Sequence, residues 1–163
     1  MVIQNRTKDL IVNIVINRKA KHRYFIQETL EAGLILFGWE VKAFKSGNVN
    51  ISDSYVSFHS GEVYLIGSQF NSLYTTDVHT LRNSNRHRKV LLHKNEILSL
   101  YKKIYKHGYT AIALSFFLRN NWCKMKIAIV KGKTQYDKRE IKKQSQWKRE
   151  KNRIVKKIIN NYS

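Results

Sequence analysis

Three carboxylates, Glu28, Glu31 and Glu40, and six histidines at positions 22, 59, 79, 87, 93 and 107 are the side chains of this 163-residue chain whose chemistry could drive a reaction. A carboxylate pair can serve as general acid and base, and His22 with Glu31 would be the pair for an RNA-cleaving or RNA-modifying enzyme. No histidines stand as H-x-x-x-H, and a single cysteine, Cys123, cannot build a Cys/His zinc cluster. Neither G-x-x-x-x-G-K-[ST] nor G-x-G-x-x-G occurs, and Lys131-Gly132-Lys133 reads as a basic turn rather than a nucleotide fingerprint. The carboxylates are also outnumbered, 11 Asp and Glu against 31 Lys and Arg, so neutralising neighbouring cations is their expected work. The expectation is a protein with no catalytic residue, no metal and no cofactor.

A net charge of +20 makes a polyanion the natural partner. The cations cluster at Asn17-Arg18-Lys19-Ala20-Lys21-His22, at Arg86-His87-Arg88-Lys89, at Lys124 with Lys126, and in the last 33 residues, which hold 12 of the 31. Lysine and arginine supply salt-dependent affinity for phosphate, and His22, Trp122 and Tyr136 offer faces on which a base can stack. RNA is the expected ligand. No apolar run approaches the roughly 18 residues of a membrane span, no signal-peptide core is present, and one cysteine excludes an intramolecular disulfide. A soluble cytoplasmic protein is expected.

The elements that must position these residues are read without proline, of which there is none, so turns rest on Gly, Asn and Ser. Strands are expected at Leu10 to Ile16, Tyr24 to Thr29 and Gly33 to Phe37, and a short helix at Phe37, Val41 and Phe44, stopped before Gly47. Ile51 to His59 and Glu62 to Phe70 form a hairpin around Ser60-Gly61. Leu73 to Lys89 reads as a long loop. Ile97, Leu98, Tyr101, Ile104 and Tyr105 make one stripe of a helix that begins at His93 and stops at Gly108. Thr110 to Arg119 and Trp122 to Val130 form a second hairpin across Asn120-Asn121, with Cys123, Met125, Ile127 and Ile129 inward and Trp122, Lys124 and Lys126 outward. Many short strands in a small basic chain predict a mainly β, antiparallel, oligonucleotide-binding type of barrel over residues 1 to 130, with a few short helices.

Residues 131 to 163 form a basic tail. At 100° per residue Trp147, Ile154, Val155, Ile158 and Ile159 fall within about 140° of one another, while Lys138, Arg149, Arg153, Lys156 and Lys157 lie opposite. The cations repel, so the tail is expected to be disordered when free and helical once phosphate neutralises it. Docking of the stripe on the barrel, or on a membrane surface, is the alternative the composition leaves open.

The run from Asn17 to His22, with Tyr24-Phe25-Ile26, Glu31-Ala32-Gly33, Trp39-Glu40-Val41-Lys42, Ser52-Asp53-Ser54-Tyr55, Arg86-x-Arg88-Lys89, Tyr136-Asp137-Lys138-Arg139 and Trp147 to Lys151, resembles the small protein B family, the SsrA-binding proteins of bacterial trans-translation. The resemblance covers roughly residues 10 to 155. It implies a non-catalytic adaptor that binds the tRNA-like domain of transfer-messenger RNA (tmRNA, or SsrA RNA). Such an adaptor delivers alanine-charged tmRNA to the empty A site of a stalled ribosome, with elongation factor Tu engaged through the charged RNA. Asn17, Glu31 and Leu91 match tmRNA-binding positions, and Lys19, Lys89, Lys124 and Lys126 are phosphate partners by charge. His22, Gly132, Tyr136, Asp137, Lys138 and Arg139 match positions facing the decoding region of the small ribosomal subunit and its rRNA, with Trp147, Ile154 and Val155 as apolar anchors of the folded tail. On this view Gly132 lets the tail turn off the barrel and Asp137 caps the new helix. The protein acts as a monomer. A generic basic RNA-binding or ribosome-associated protein is the alternative. Asn83-Ser84 replaces a frequent Asp-Pro and predicts a looser loop, Thr134 replaces a usual lysine, and Arg23 and Gln27 stand where acids are frequent.

Overall fold

Strand alternation dominates the chain, and in the computed structural model nearly all strands join one antiparallel sheet. The structure describes residues 11–72 and 83–161, apart from the side chains of Ile11, Gln135, Tyr136, Lys138, Lys142, Ser145 and residues 156–161. The order is β1 (Ile11–Ile16), α1 (Arg18–Arg23), β2 (Tyr24–Leu34), α2 (Gly38–Lys45), β3 (Val49–Asn50), β4 (Tyr55–His59), β5 (Glu62–Ile66), β6 (Gln69–Phe70), β7 (Arg88–Leu91), α3 (Lys94–His107), β8 (Thr110–Arg119), β9 (Trp122–Gly132) and α4 (Gln135–Asn161). Strands run β8-β4-β5-β7-β2-β9 and return from β9 to β8, with β1 added beside β8. The β2–β7 and β4–β8 seams span only two residue pairs each, so the ring is partly closed. The expected mainly β, antiparallel architecture with a few helices is what forms.

The core sits inside this ring. Phe44 of α2 stacks on Phe116 of β8 at 5.2 Å and Phe70 lies 5.8 Å from Phe116, all three fully buried. Each such ring contributes about 1.5–3 kcal/mol by leaving water. On β9, Met125, Ile127 and Ile129 point into this core as expected. The opposite face of β9 changes along its length. Ala20 of α1 covers Ala128 and Val130 near the Gly132 end, whereas half-buried Lys126 and Lys124 and exposed Trp122 follow toward the other.

Both hairpins form where glycine and asparagine predict them. Ser60 and Gly61 have φ of 51° and 77°, Asn120 and Asn121 49° and 65°, the left-handed backbone that a two-residue turn requires. Helix α3 ends at Gly108 with φ of 67°. Several expectations are corrected. Gly33 to Phe37 is not a strand of its own: β2 pairs with β9 from Tyr24 to Gly33, with one register shift between Ile26 and Glu28, and long-range pairing carries it through. Phe37 instead opens α2, its N–H donating to Glu40 Oε2 at 2.7 Å. The first hairpin is shorter than expected, Tyr55–His59 with Glu62–Ile66: Ile51 to Ser54 is not strand, and Gln69–Phe70 pairs instead with Val49–Asn50 as a separate β3–β6 ribbon. β7 arises inside the segment read as a loop, of which residues 73–82 lie outside the described residues. Asn83-Ser84 is held by hydrogen bonds in place of a proline. Asn83 Oδ1 accepts from the N–H of Asn85 at 2.9 Å, and the Ser84 carbonyl accepts from Phe70 N and Arg88 Nη2. In α3 Leu100 is the fully buried residue, while Leu98, Tyr101 and Tyr105 of the expected stripe remain exposed. Helix α1 was not foreseen, although Asn17 before six good helix formers carries the signal.

Candidate nucleic-acid interface

Cross-strand register assembles the first group of predicted residues. Gly33 of β2 stands opposite Leu91 of β7 on one side and Lys124 of β9 on the other, and Glu31 stands opposite Lys126. Residues directly opposite share a face of the sheet, so Glu31, Leu91, Lys124 and Lys126 come together from three strands. Between them lies a groove of about 320 Å³ lined by Glu31, Gly33, Leu91, His93, Glu96 and Lys124. Gly33 lets Leu91 lie across the sheet: a Cβ there would stand 3.3 Å from Leu91 Cβ. Leu91 is 49% exposed and offers an apolar surface at the mouth. Trp122, 74% exposed, extends the outward row of β9 beyond Lys124 and supplies a stacking face at the same end.

The carboxylates are spent on cations. Glu31 Oε2 accepts from Arg119 Nη1 at 2.8 Å, Glu28 pairs with Lys103, and Asp53 pairs with Arg23 at 2.8 Å. Lys89 pairs with Glu62, whose other oxygen accepts from the Tyr64 hydroxyl. Lysine and tyrosine donors hold the Glu62 carboxyl below its usual range, and Glu62 raises Lys89 in return. Lys89 therefore meets phosphate only in competition with Glu62. Glu40 and Arg88 have fully buried side chains, Arg88 Nη2 lying 2.9 Å from Glu40 Oε1, and Arg86 pairs with the second Glu40 oxygen. Burial pushes the Arg88 guanidinium down to about 10, with Glu40 opposing, so it is charged at neutral pH. This pair ties α2 to β7, the strand that ends in Leu91. Burial also raises the Cys123 thiol, which leaves it an inert packing group.

Asn17 and Lys19 lie elsewhere. Asn17 is 4% exposed. Its Nδ2 donates to the carbonyls of Ile51 and Ala113, both at 3.1 Å, and its Oδ1 accepts from Ala20 N at 3.1 Å, capping α1. The amide is saturated by protein and holds α1 on the barrel. That helix presents exposed Lys19, Lys21 and His22. Beside it is the root of the tail: Lys133 N donates to Arg23 O at 3.1 Å, Lys133 Nζ to Lys21 O at 2.8 Å, and the same ammonium lies 4.9 Å from the Phe25 ring. Gly132 pairs with Tyr24 as the last residue of β9, and a Cβ there would meet nothing within 4 Å. The expected turn at Gly132 is thus not what its backbone does, and β9 runs two residues past Val130. The chain enters α4 at Thr134. Thr134 Oγ1 accepts from Asp137 N at 3.2 Å, while Asp137 Oδ2 accepts from Thr134 N at 2.9 Å, a reciprocal cap. The Thr134 hydroxyl, 2.6 Å from Asp137 Oδ2, and the Thr134 N–H together hold the Asp137 carboxyl below its usual range. Asp137 does help cap the tail helix, and Thr134 supplies the partner hydroxyl.

Tail side chains are presented outward. Trp147, Ile154 and Val155 are 71%, 54% and 45% exposed, so this stripe is not packed on the barrel, and Arg139 is exposed as well. Tyr136, Lys138, Ile158 and Ile159 have side chains outside the described residues. His22 and Glu31 cannot act on one substrate bond. Seven strand residues separate Tyr24, just beyond His22, from Glu31, about 23 Å at 3.3 Å per residue. Among the described residues no three His, Cys, Asp or Glu side chains gather as metal ligands, and no helix is long and apolar enough to cross a membrane.

Comparison with known proteins bears on the same residues. The family model described as SmpB protein matches residues 14–157. The SsrA-binding protein of Buchnera aphidicola subsp. Baizongia pistaciae is 52% identical over 145 residues, 89% of this chain and 92% of the relative. A chain solved in work on tmRNA–SmpB and its journey to the center of the bacterial ribosome superposes with a TM-score of 0.62 at 33% identity, covering 77% of this chain and 92% of that one. The match spans the groove, α1, the tail root and most of α4, and with them the chain belongs to the SmpB, or SsrA-binding protein, family.

Proposed function

We propose that this chain is a non-enzymatic RNA-binding adaptor that joins tmRNA to the stalled ribosome in trans-translation, with the two tasks divided between the two ends of β2 and β9. At one end the groove takes the tRNA-like domain of tmRNA. Lys124 and Lys126 hold phosphate, Leu91 and Trp122 offer apolar and stacking surface, and Glu31 orients Arg119 rather than facing RNA alone. At the other, α1 and the tail face the decoding region of the small subunit and its rRNA. There His22 lies beside the tail root, Tyr136, Lys138 and Arg139 open α4, and Trp147, Ile154 and Val155 anchor it in the place of a missing codon and anticodon. Asn17 acts by positioning α1, and Lys19 belongs with the ribosome-facing group rather than with the groove. Elongation factor Tu is engaged only through the alanine-charged RNA, and the protein works as a cytoplasmic monomer whose tail is disordered until phosphate neutralises it.

The observation that carries this division is that register places Glu31, Leu91, Lys124 and Lys126 on one open face while Lys133 is bonded into α1 at the far end. Its test is competitive binding to tmRNA against excess tRNA at near-physiological salt, by the full chain and by a chain ending at Thr134. The cut spares Gly132 and Lys133, which belong to the barrel edge. Equal selectivity in both assigns recognition to the barrel. Loss of selectivity with the tail overturns the division and leaves a generic basic RNA binder.

A further inference from the structure

Helix α3 buries Leu100 completely and packs Ile97 and Ile104 against the core, and the 3.6-residue period then turns Leu98, Tyr101 and Tyr105 onto a stripe of their own. These three are 54%, 45% and 59% exposed. They overhang the β4–β5 turn, where Phe58 meets Tyr101 edge-on at 5.4 Å and Tyr105 at 6.0 Å, and the two tyrosine rings lie 4.5 Å apart. Together with His59 and Lys94 they line an open cleft of about 510 Å³, within the range of sites that hold a small-molecule-sized group.

Charge and chemistry say what such a cleft accepts. Among the described residues no carboxylate lines it. Glu62, next to Gly61 in the chain, is occupied by Lys89 and Tyr64, and Glu96, next to Ile97, by the N–H of His93. Lys94 stands in the lining, and exposed Lys102 follows Leu98 by four residues, on the same side of the helix. The occupant is therefore anionic and carries flat apolar faces. Both rings also bear hydroxyls, which an apolar peptide helix would have to desolvate but to which base edges can hydrogen-bond. A duplex hides its base faces in its own stack. The cleft and the groove are lined by consecutive residues of the chain, Leu92 and His93 in the groove and Lys94 in the cleft.

We propose that the Tyr101–Tyr105 cleft is a stacking platform for one or two unpaired bases of single-stranded RNA, extending past the N-terminus of α3 the RNA path that begins in the groove. The proposal rests on the RNA-binding reading above.

The test is fluorescence anisotropy of the full chain with labelled octaadenylate and with a labelled blunt-ended RNA duplex, in the parent and in Tyr101→Leu/Tyr105→Leu. Stacking predicts about a tenfold loss of octaadenylate affinity with no change in the salt dependence, in the duplex affinity or in the thermal midpoint. Lys94→Glu, which leaves both rings in place, weakens the same probe and lowers its salt dependence, and keeps the proposal testable should the double variant not fold. Photocrosslinking of an octamer containing 4-thiouridine maps to Tyr101 or Tyr105. Unchanged octaadenylate affinity in the folded double variant, or crosslinks confined to other segments, overturns the proposal. So does displacement of the probe by a Glu/Tyr copolymer at lower concentration than by unlabelled octaadenylate, which makes the cleft a protein-docking site. Selective binding of the tRNA-like domain, measured in parallel on the parent, reports on the proposed function independently of the cleft.

Discussion

The groove and the tail root use the same two strands and are built by opposite means. Four residues from 31 to 126 meet at the groove only because register across β7, β2 and β9 aligns them, and β7 is itself tied to α2 by a buried ion pair between residues 48 positions apart. The tail root is assembled from short-range devices, an asparagine cap on α1 and a Thr134–Asp137 cap on α4, joined by one lysine reaching across to α1. Cations differ in the same way. Near the groove most acids are already paired with a base, whereas the tail holds 12 cations against 3 acids and leaves its apolar stripe in water. On the proposed division, the region that recognises tmRNA has its acids already paired, and the region that enters the ribosome carries its affinity as unspent charge.

The largest effect should come from breaking the buried Glu40–Arg88 pair. Glu40→Gln strands the buried Arg88 charge and is expected to cost about 3–5 kcal/mol, read as a lower urea midpoint. Glu150→Gln on the exposed tail, by contrast, should change stability by less than about 0.5 kcal/mol. Equal effects would erase the contrast between the two regions.

Asn17→Ala follows. It removes a cap and leaves two buried carbonyls short of a donor, for about 2–3 kcal/mol. Because α1 carries Lys19 and Lys21, RNA affinity at a temperature where the variant is folded should fall together with its salt dependence. A variant of parental stability with only weaker tmRNA binding would mean that Asn17 touches RNA directly.

A smaller effect is the pH response of the tail helix. The Asp137 carboxyl is lowered in the folded cap, so the cap's contribution is full above the ordinary carboxylate pKa of about 4 and is lost as pH falls through the lowered value. With inorganic phosphate present to keep the tail folded, ellipticity at 222 nm should decline on acidification below about pH 4, and Asp137→Asn should remove that portion of the decline. The smallest is Gly132→Ala, expected within about 0.5 kcal/mol of the parent because its Cβ meets nothing. Any defect of this variant in ribosome rescue then belongs to the docked complex and not to the fold.

Legibility followed the range of the forces involved. Helix α3 with its Gly108 stop and the turns at Ser60-Gly61 and Asn120-Asn121 could be read because each depends on residues within a few positions of one another. The same locality made α1 readable in principle, since Asn17 and the helix formers behind it are contiguous, yet its cations drew the reading toward charge alone. In the candidate site, the outward row Trp122, Lys124 and Lys126 followed from strand alternation. The companionship of Glu31 and Leu91 with that row, and the absence of Asn17 and Lys19 from it, did not.

What the amino-acid sequence determined by itself was the charge that demands a polyanion, the amphipathic periods, the turns and the ordered motifs shared with the SmpB family. These are properties of composition and near neighbours, carried by hydrogen bonds and side-chain spacing within one or two turns of chain. Only the tertiary structure decided that β2 runs unbroken through Gly33, that Glu40 is buried under Arg88, that Leu98, Tyr101 and Tyr105 face outward, and that the predicted RNA-binding residues divide between two ends of one strand pair. Each of these depends on which distant strand lies alongside, and a shift of one residue in register exchanges the buried face for the exposed one.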